Sequence, residues 1–209
     1  MFIMTGISPI NNHNIPGSYG LVACGGSSSR MGSDKSMLIY FEKPQCYHVY
    51  EMLQAYCEKV FISCNEKQTN SIEDGYNILT DHPSYKNIGP MAGLLTAFTK
   101  FPTKDILFIG CDYPFLHATD LEHFLPYCKG ENFAVSFYND KEDLYEPLLA
   151  WYQHTSFDIL RKMHEAKQYS LQHFLKNNQA TKFYPSNKNS ITSVDTHEAF
   201  IKAVDSIKP

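Results

Sequence analysis

The sequence predicts an α/β chain folded as a single three-layer α/β/α domain around a mostly parallel, twisted sheet. Short apolar runs alternate with stretches of helical spacing, which is the pattern of strands joined by crossover helices. The runs at 19–24, 60–64, 106–111, 134–137 and 148–152 are too short for helices, and their unbroken apolarity marks strands covered on both faces. No repeat, low-complexity tract or Pro/Gly/Ser linker divides the 209 residues, and a 43% hydrophobic content suffices for one sizeable core.

Residues 1–17 read as a polar, Asn-rich tail, with neither a basic leader nor an apolar run long enough for export or for spanning a bilayer, so the domain is placed at 18–209. The first strand runs directly into a Gly-rich loop. Cys46, Val49, Tyr50, Leu53 and Cys57 then fall at helical spacing, and the second strand ends in Ser63-Cys64-Asn65. Ile78-Leu-Thr-Asp-His-Pro83 forms a junction ahead of Asn87-Ile-Gly-Pro-Met-Ala-Gly93. There Pro90 suits a first helical position before the apolar face of Met91, Leu94, Leu95 and Phe98. The run at 106–111 ends in Asp112-Tyr-Pro-Phe115, and Thr119 with Glu122 matches a capping box for the next helix. Toward the C-terminus, Asp195-Thr196 and Glu198 open a helix whose stripe is Phe200, Val204 and Ile207.

Composition removes several function classes. A formal net charge of −4 lacks the basic face of a nucleic-acid binder. The six cysteines form no C-x-x-C pair and several lie inside apolar runs, which suits small buried hydrophobes in a reducing cytoplasm. The nine histidines show no H-x-H or HExxH spacing, arguing against a transition-metal site.

In such a sheet ligands bind at the carboxyl ends of the strands, so the strand-to-helix junctions carry the chemistry. Leu21-Val-Ala-Cys-Gly-Gly-Ser-Ser-Ser-Arg-Met-Gly-Ser-Asp-Lys35 gathers the parts of a phosphate cradle. Gly25 and Gly26 let the backbone approach a ligand closely, Ser28 and its two neighbouring serines add hydroxyl donors, and Arg30 and Lys35 add positive charge. The loop is neither a P-loop, since Lys35-Ser36 follows Asp34 and not glycine, nor a G-x-G-x-x-G fingerprint, since Gly25 and Gly26 are adjacent. Asp112, ending a buried strand before Pro114, is placed to hold Mg²⁺ or else to serve as a turn or cap aspartate. Gly89 and Gly93 permit close approach at a helix start, Asp81 lies where it could meet a ribose or base, and Asn65 offers either a base-edge contact or a plain turn.

These residues resemble the molybdenum cofactor guanylyltransferase family of the nucleotidyltransferase superfamily. The family pattern Leu-Ala-Gly-Gly-x-Ser-x-Arg-Met-Gly-x-Asp-Lys is similar to Ala23–Lys35, its Gly-Pro-Leu-Ala-Gly to Gly89–Gly93, and its Cys-Asp-x-Pro-Phe to Cys111–Phe115. Fainter likeness extends to Glu146-Pro-Leu148 and Ser170-Leu171. The resemblance implies a Rossmann-like nucleotidyltransferase fold and transfer of GMP from GTP to the phosphate of molybdopterin, with Mg²⁺ as cofactor and pyrophosphate released. It implies nucleotide contacts from Ala23, Cys24, Gly25, Gly26, Ser28, Lys35, Asn65, Asp81, Gly89 and Asp112, catalytic roles for Arg30, Lys35 and Asp112, and Mg²⁺ at Asp112. It further implies a cytoplasmic enzyme in transient contact with cofactor-delivering proteins. Gly25-Gly26 with Gly89–Gly93 favours GTP over CTP. One departure stands out: where the family reads Asn-Ile-Asn-Thr-Pro, this chain has Ser193-Val-Asp-Thr-His197, which touches the acceptor side. Two other readings stay open, a transferase using CTP or a sugar phosphate and a non-catalytic nucleotide-binding module.

Overall fold

The computed structural model describes residues 15, 17–24, 35–130 and 132–207. Its strands are β1 (Ser18–Ala23), β2 (Lys59–Cys64), β3 (Ile78–Thr80), β4 (Asp105–Gly110), β5 (Ala134–Asn139), β6 (Leu144–Tyr152) and β7 (Thr181–Phe183), in one sheet of order β3-β2-β1-β4-β6-β5-β7. The neighbours β3, β2, β1 and β4 run parallel, as do β5 and β7, whereas β6 is antiparallel to both β4 and β5. The reversal of β6 follows from its connection. The turn between β5 and β6 is short, with Asn139 Oδ1 accepting from the N–H groups of Lys141 at 3.2 Å and Glu142 at 3.3 Å and Asp143 at φ 55°, and a connection this short can join only antiparallel strands. Because Ile109 of β4 pairs with Leu149, residues 144–147 of β6 project past the end of β4 at the edge where β1, β2 and β4 finish.

Helices α1 (Gln45–Gln54), α2 (Met91–Lys100), α3 (Ala118–Phe124), α4 (Ser156–Glu165), α5 (Leu171–Asn177) and α6 (His197–Ile207) complete the chain. On one face, Val49 and Leu53 of α1 and Leu121 and Phe124 of α3 bury against Val22, Ile62, Ile109 and Leu149. On the other, Leu94 and Phe98 of α2, Leu160 of α4 and Phe174 of α5 bury against Leu21, Phe108 and Tyr152. Strand residues alternate between these two cores, which is why the runs read as continuously apolar. A third, smaller cluster joins α6 to the turns near Lys35 and Asp112, through Ala203, Tyr40 and Val194 with Leu38 and Phe115 packed against them. Trp151, the only tryptophan, is buried and donates its indole N–H to Ser18 Oγ at 3.3 Å.

The expected strands are all present, with β6 extending back to Leu144, and β3 and β7 add two three-residue strands too short to separate from their flanks. The capping box is corrected. Helix α3 begins at Ala118, one residue before Thr119: His117 is its N-cap, and the His117 N–H donates to the Asp120 carboxylate at 3.0 Å. Histidine lies outside the usual cap residues, so the nearby threonine drew the sequence reading forward. Pro90 is the N-cap residue of α2 in place of its first helical residue. Most of the 1–17 tail lies outside the described residues.

Candidate nucleotide site

The ends of β1, β2, β3 and β4 bring Cys24, Asn65, Asp81 and Asp112 to one edge of the sheet, and Lys35 opens a 3-10 turn over the same edge. Gly25, Gly26, Ser28 and Arg30 lie outside the described residues. The strand ends are tied to one another. The Cys24 N–H donates to Ser63 O at 3.1 Å, the Cys111 N–H to Ala23 O at 3.2 Å, and the Asp81 N–H to Cys64 O at 3.1 Å. Helix α2 lies so close to β2 that a Cβ on Gly93 would come within 2.2 Å of Ser63 Oγ, so this glycine is required by space. Gly89 is required by its backbone, at φ +67°.

Asn65 is occupied within its own turn. Its Oδ1 accepts from the N–H groups of Lys67 at 2.9 Å and Gln68 at 3.2 Å, and its Nδ2 donates to Gln68 Oε1 at 2.8 Å. This is the turn role, and a base contact from the same amide would have to displace these bonds. Gln68, which the sequence did not single out, donates from Nε2 to the Cys24 carbonyl at 3.0 Å and so fastens this turn to the end of β1. Asp81 is half-buried, and desolvation raises its carboxyl to about 6 against the opposing charge of Lys86.

Asp112 is held differently. Its carbonyl accepts from the Val194 N–H at 2.8 Å and its Oδ2 from the Ser193 hydroxyl at 3.2 Å. Its Oδ1 is buried and has no hydrogen-bond donor among the described residues. Burial pushes the carboxyl up most; its own main-chain N–H, the Ser193 hydroxyl and the Lys35 ammonium pull it down, and Asp195 pushes it up again. Lys35 and Asp112 are therefore within electrostatic reach of each other. A buried carboxylate oxygen left without a donor is costly unless a further group completes it, and a hard divalent cation is a suitable complement. Among the described residues no group of three or more acidic, His or Cys side chains could hold a metal ion. Mg²⁺ commonly takes most of its ligands from phosphates and water and only one or two from protein carboxylates.

Beyond Asp112, Tyr113 donates its hydroxyl to Glu146 Oε2 at 2.9 Å, and desolvation raises the Glu146 carboxyl to about 7. Glu146, Lys188, Ser193 and Asp195 line a cavity of about 530 Å³ that opens beside the projecting end of β6. Beneath the edge, the Cys24 thiol is raised well above its ordinary pKa by the neighbouring thiols of Cys111 and Cys46 and by burial.

Residues 20–182 match the family described as the MobA-like NTP transferase domain. The chain belongs to that family. The resemblance carried by 23–35, 89–93 and 111–115 is borne out at that level. A molybdenum cofactor biosynthesis bifunctional protein from Synechocystis sp. is 31% identical over 145 residues, covering 69% of this chain but only 41% of that protein. A molybdenum cofactor guanylyltransferase from Shewanella sediminis is 26% identical over 180 residues, covering 85% of this chain and 91% of that protein. Among solved structures, molybdopterin-guanine dinucleotide biosynthesis protein A from Archaeoglobus fulgidus superposes with a TM-score of 0.73 at 20% identity, covering 90% of this chain and 97% of that one. A CMP:2-keto-3-deoxy-manno-octonic acid synthetase complexed with CTP also matches, with a TM-score of 0.66 at 14% identity over 91% of this chain and 97% of that one. The nucleotidyltransferase fold is therefore shared, and the fold by itself does not choose a base. Among the described residues no helix is long and apolar enough to cross a membrane.

Proposed function

We propose that this nucleotidyltransferase moves GMP from GTP to the phosphate of molybdopterin in molybdenum cofactor biosynthesis, in the cytoplasm. The observation that carries the reading is Asp112 Oδ1, buried and without a donor among the described residues, within electrostatic reach of Lys35 at the carboxyl ends of the strands. The names of the bacterial relatives supply the base and the acceptor. Support for a reducing compartment comes from six free, buried cysteines.

The chemistry asks little of the chain beyond charge and position. A phosphate monoester is largely dianionic at neutral pH, its second pKa being about 6, so its oxygen attacks the α-phosphorus with no general base. One P–O bond forms, the α–β P–O bond breaks, and pyrophosphate leaves with the electron pair. Lys35 would neutralise triphosphate charge and Arg30 would hold phosphate oxygens, while Asp112 would hold Mg²⁺ on the phosphates. Mg²⁺ there supplies charge neutralisation of the leaving group.

The test is pyrophosphate release from GTP, CTP, ATP or UTP with molybdopterin and Mg²⁺. At least about tenfold preference for GTP is expected from one or two base-edge hydrogen bonds lost with the wrong base. Equal use of all four nucleotides would defeat the guanylyl assignment. In the same assay Asp112→Asn preserves size and turn chemistry but removes the charge a hard cation needs, so transfer should collapse in a protein that still folds. Transfer at the wild-type rate with the wild-type Mg²⁺ requirement would make Asp112 a turn residue.

A further inference from the structure

Ser193 and Val194 lie 81 and 82 residues beyond Asp112 in sequence, yet both bond to it, at 3.2 Å to Oδ2 and 2.8 Å to the main-chain carbonyl. Val194 is buried in the cluster that packs Ala203 of α6 against Tyr40, with Leu38 and Phe115 alongside. The same apolar contacts thus anchor the segment after Lys35, the segment after Asp112 and the strap at 193–195. With one carboxylate oxygen and the carbonyl of Asp112 fixed, the rotation of its side chain is fixed too, and Oδ1 is the atom left without a donor among the described residues. Gly110 leaves the room that Oδ1 occupies, since a Cβ there would meet it at 2.4 Å.

We propose that Ser193 is a positioning residue whose hydroxyl aims the free Oδ1 of Asp112 at the cation on the nucleotide's phosphates. The competing role is direct contact with the acceptor, because Ser193 also lines the 530 Å³ cavity beside Glu146. The two roles move different quantities. A positioning residue acts on the cation and the nucleotide; an acceptor contact acts on the acceptor alone.

The experiment rests on the proposed function only for its kinetic arm. GTP binding is followed calorimetrically while Mg²⁺ is varied, for wild type, Ser193→Ala, Ser193→Thr, Asp112→Asn and the Asp112→Asn/Ser193→Ala pair. Ser193→Ala is expected to raise the half-saturating Mg²⁺ concentration about three- to tenfold, the scale of one hydrogen bond to a partly exposed carboxylate. Ser193→Thr, which keeps the hydroxyl, should return it to near wild type. In the Asp112→Asn background the alanine should add nothing, since the group it aims has lost its charge. In steady-state transfer Ser193→Ala should lower kcat while leaving the molybdopterin KM within about twofold. A raised molybdopterin KM with unchanged Mg²⁺ dependence would overturn the proposal and make Ser193 an acceptor contact. Unchanged values throughout would overturn it as well. A wild type whose GTP binding ignores Mg²⁺ would overturn the cation reading of Asp112 before any variant is compared.

Discussion

Gly110→Ala is the most demanding test of the geometry around Asp112. The added Cβ would lie 2.4 Å from Asp112 Oδ1, 3.1 Å from Leu148 Cβ and 3.1 Å from the Tyr113 ring. The first contact is impossible without movement, and a shift of the carboxylate disturbs its bond from the Ser193 hydroxyl. The other two involve buried Tyr113 and partly buried Leu148, whose room to shift is small. Overpacking of this kind costs about 1–3 kcal/mol, offset by about 0.4–1 kcal/mol gained from the stiffer unfolded chain, for a net loss near 1–2 kcal/mol. In a chain of this size that lowers Tm by roughly 2–8 °C. Scanning calorimetry reads the stability, and Mg²⁺-dependent pyrophosphate release should fall by more than tenfold, on the order of what a misplaced charged group costs. Repeating the substitution in an Asp112→Ala background removes the shortest contact, so the same alanine should cost at least about 0.5 kcal/mol less there. A Gly110→Ala protein that melts and turns over like wild type, or an equal cost in both backgrounds, would refute the packing argument.

Three further outcomes follow from other parts of the fold. Lys35→Ala should weaken GTP binding and transfer together while Tm stays within a degree or two, since a partly exposed lysine contributes little to folding; normal binding in a destabilised variant would make Lys35 structural. Burial holds Asp81 at about 6 in place of 3.8, so the folded protein binds more protons between those values and its stability falls as pH rises from about 4 to 6, then levels. Asp81→Asn should flatten that part of a Tm-against-pH curve, and an unchanged slope would count against the shift. Ser18→Ala leaves the buried Trp151 indole N–H without its partner and should cost about 1–3 kcal/mol by chemical denaturation, with a neutral result showing that another acceptor takes over.

The parallel half of the sheet could be read from the sequence because its strands are buried on both faces and its glycines stand where space or φ demands them, at Gly93 and Gly89. Asp112 was legible for a related reason, as a charge ending an apolar strand with proline two residues on. What stayed hidden depends on side chains bonding across distance. The Gln68 link to Cys24 spans 44 residues, and the Ser193 link to Asp112 spans 81, so neither leaves a local pattern. Asn65 illustrates the converse. Its position after a strand favours a turn over a base-edge contact, and the bonds to Gln68 and Lys67 are those of a turn.

Cys24 and Cys111 leave the strands that frame the site, Cys46 starts the helix behind them, and all three are buried with the Cys24 thiol held neutral by its neighbours. Thiols in that condition do not react with an alkylating agent while the fold is closed, because the thiolate is the nucleophile and the reagent has no path. Each labelling event at Cys24, Cys46 or Cys111 therefore records a moment when the floor of the site has opened. A nucleotide that binds only the closed form must slow labelling in proportion to the fraction left unbound, so the rate of thiol labelling is a clock for the ligand, running in a chain that needs no added probe.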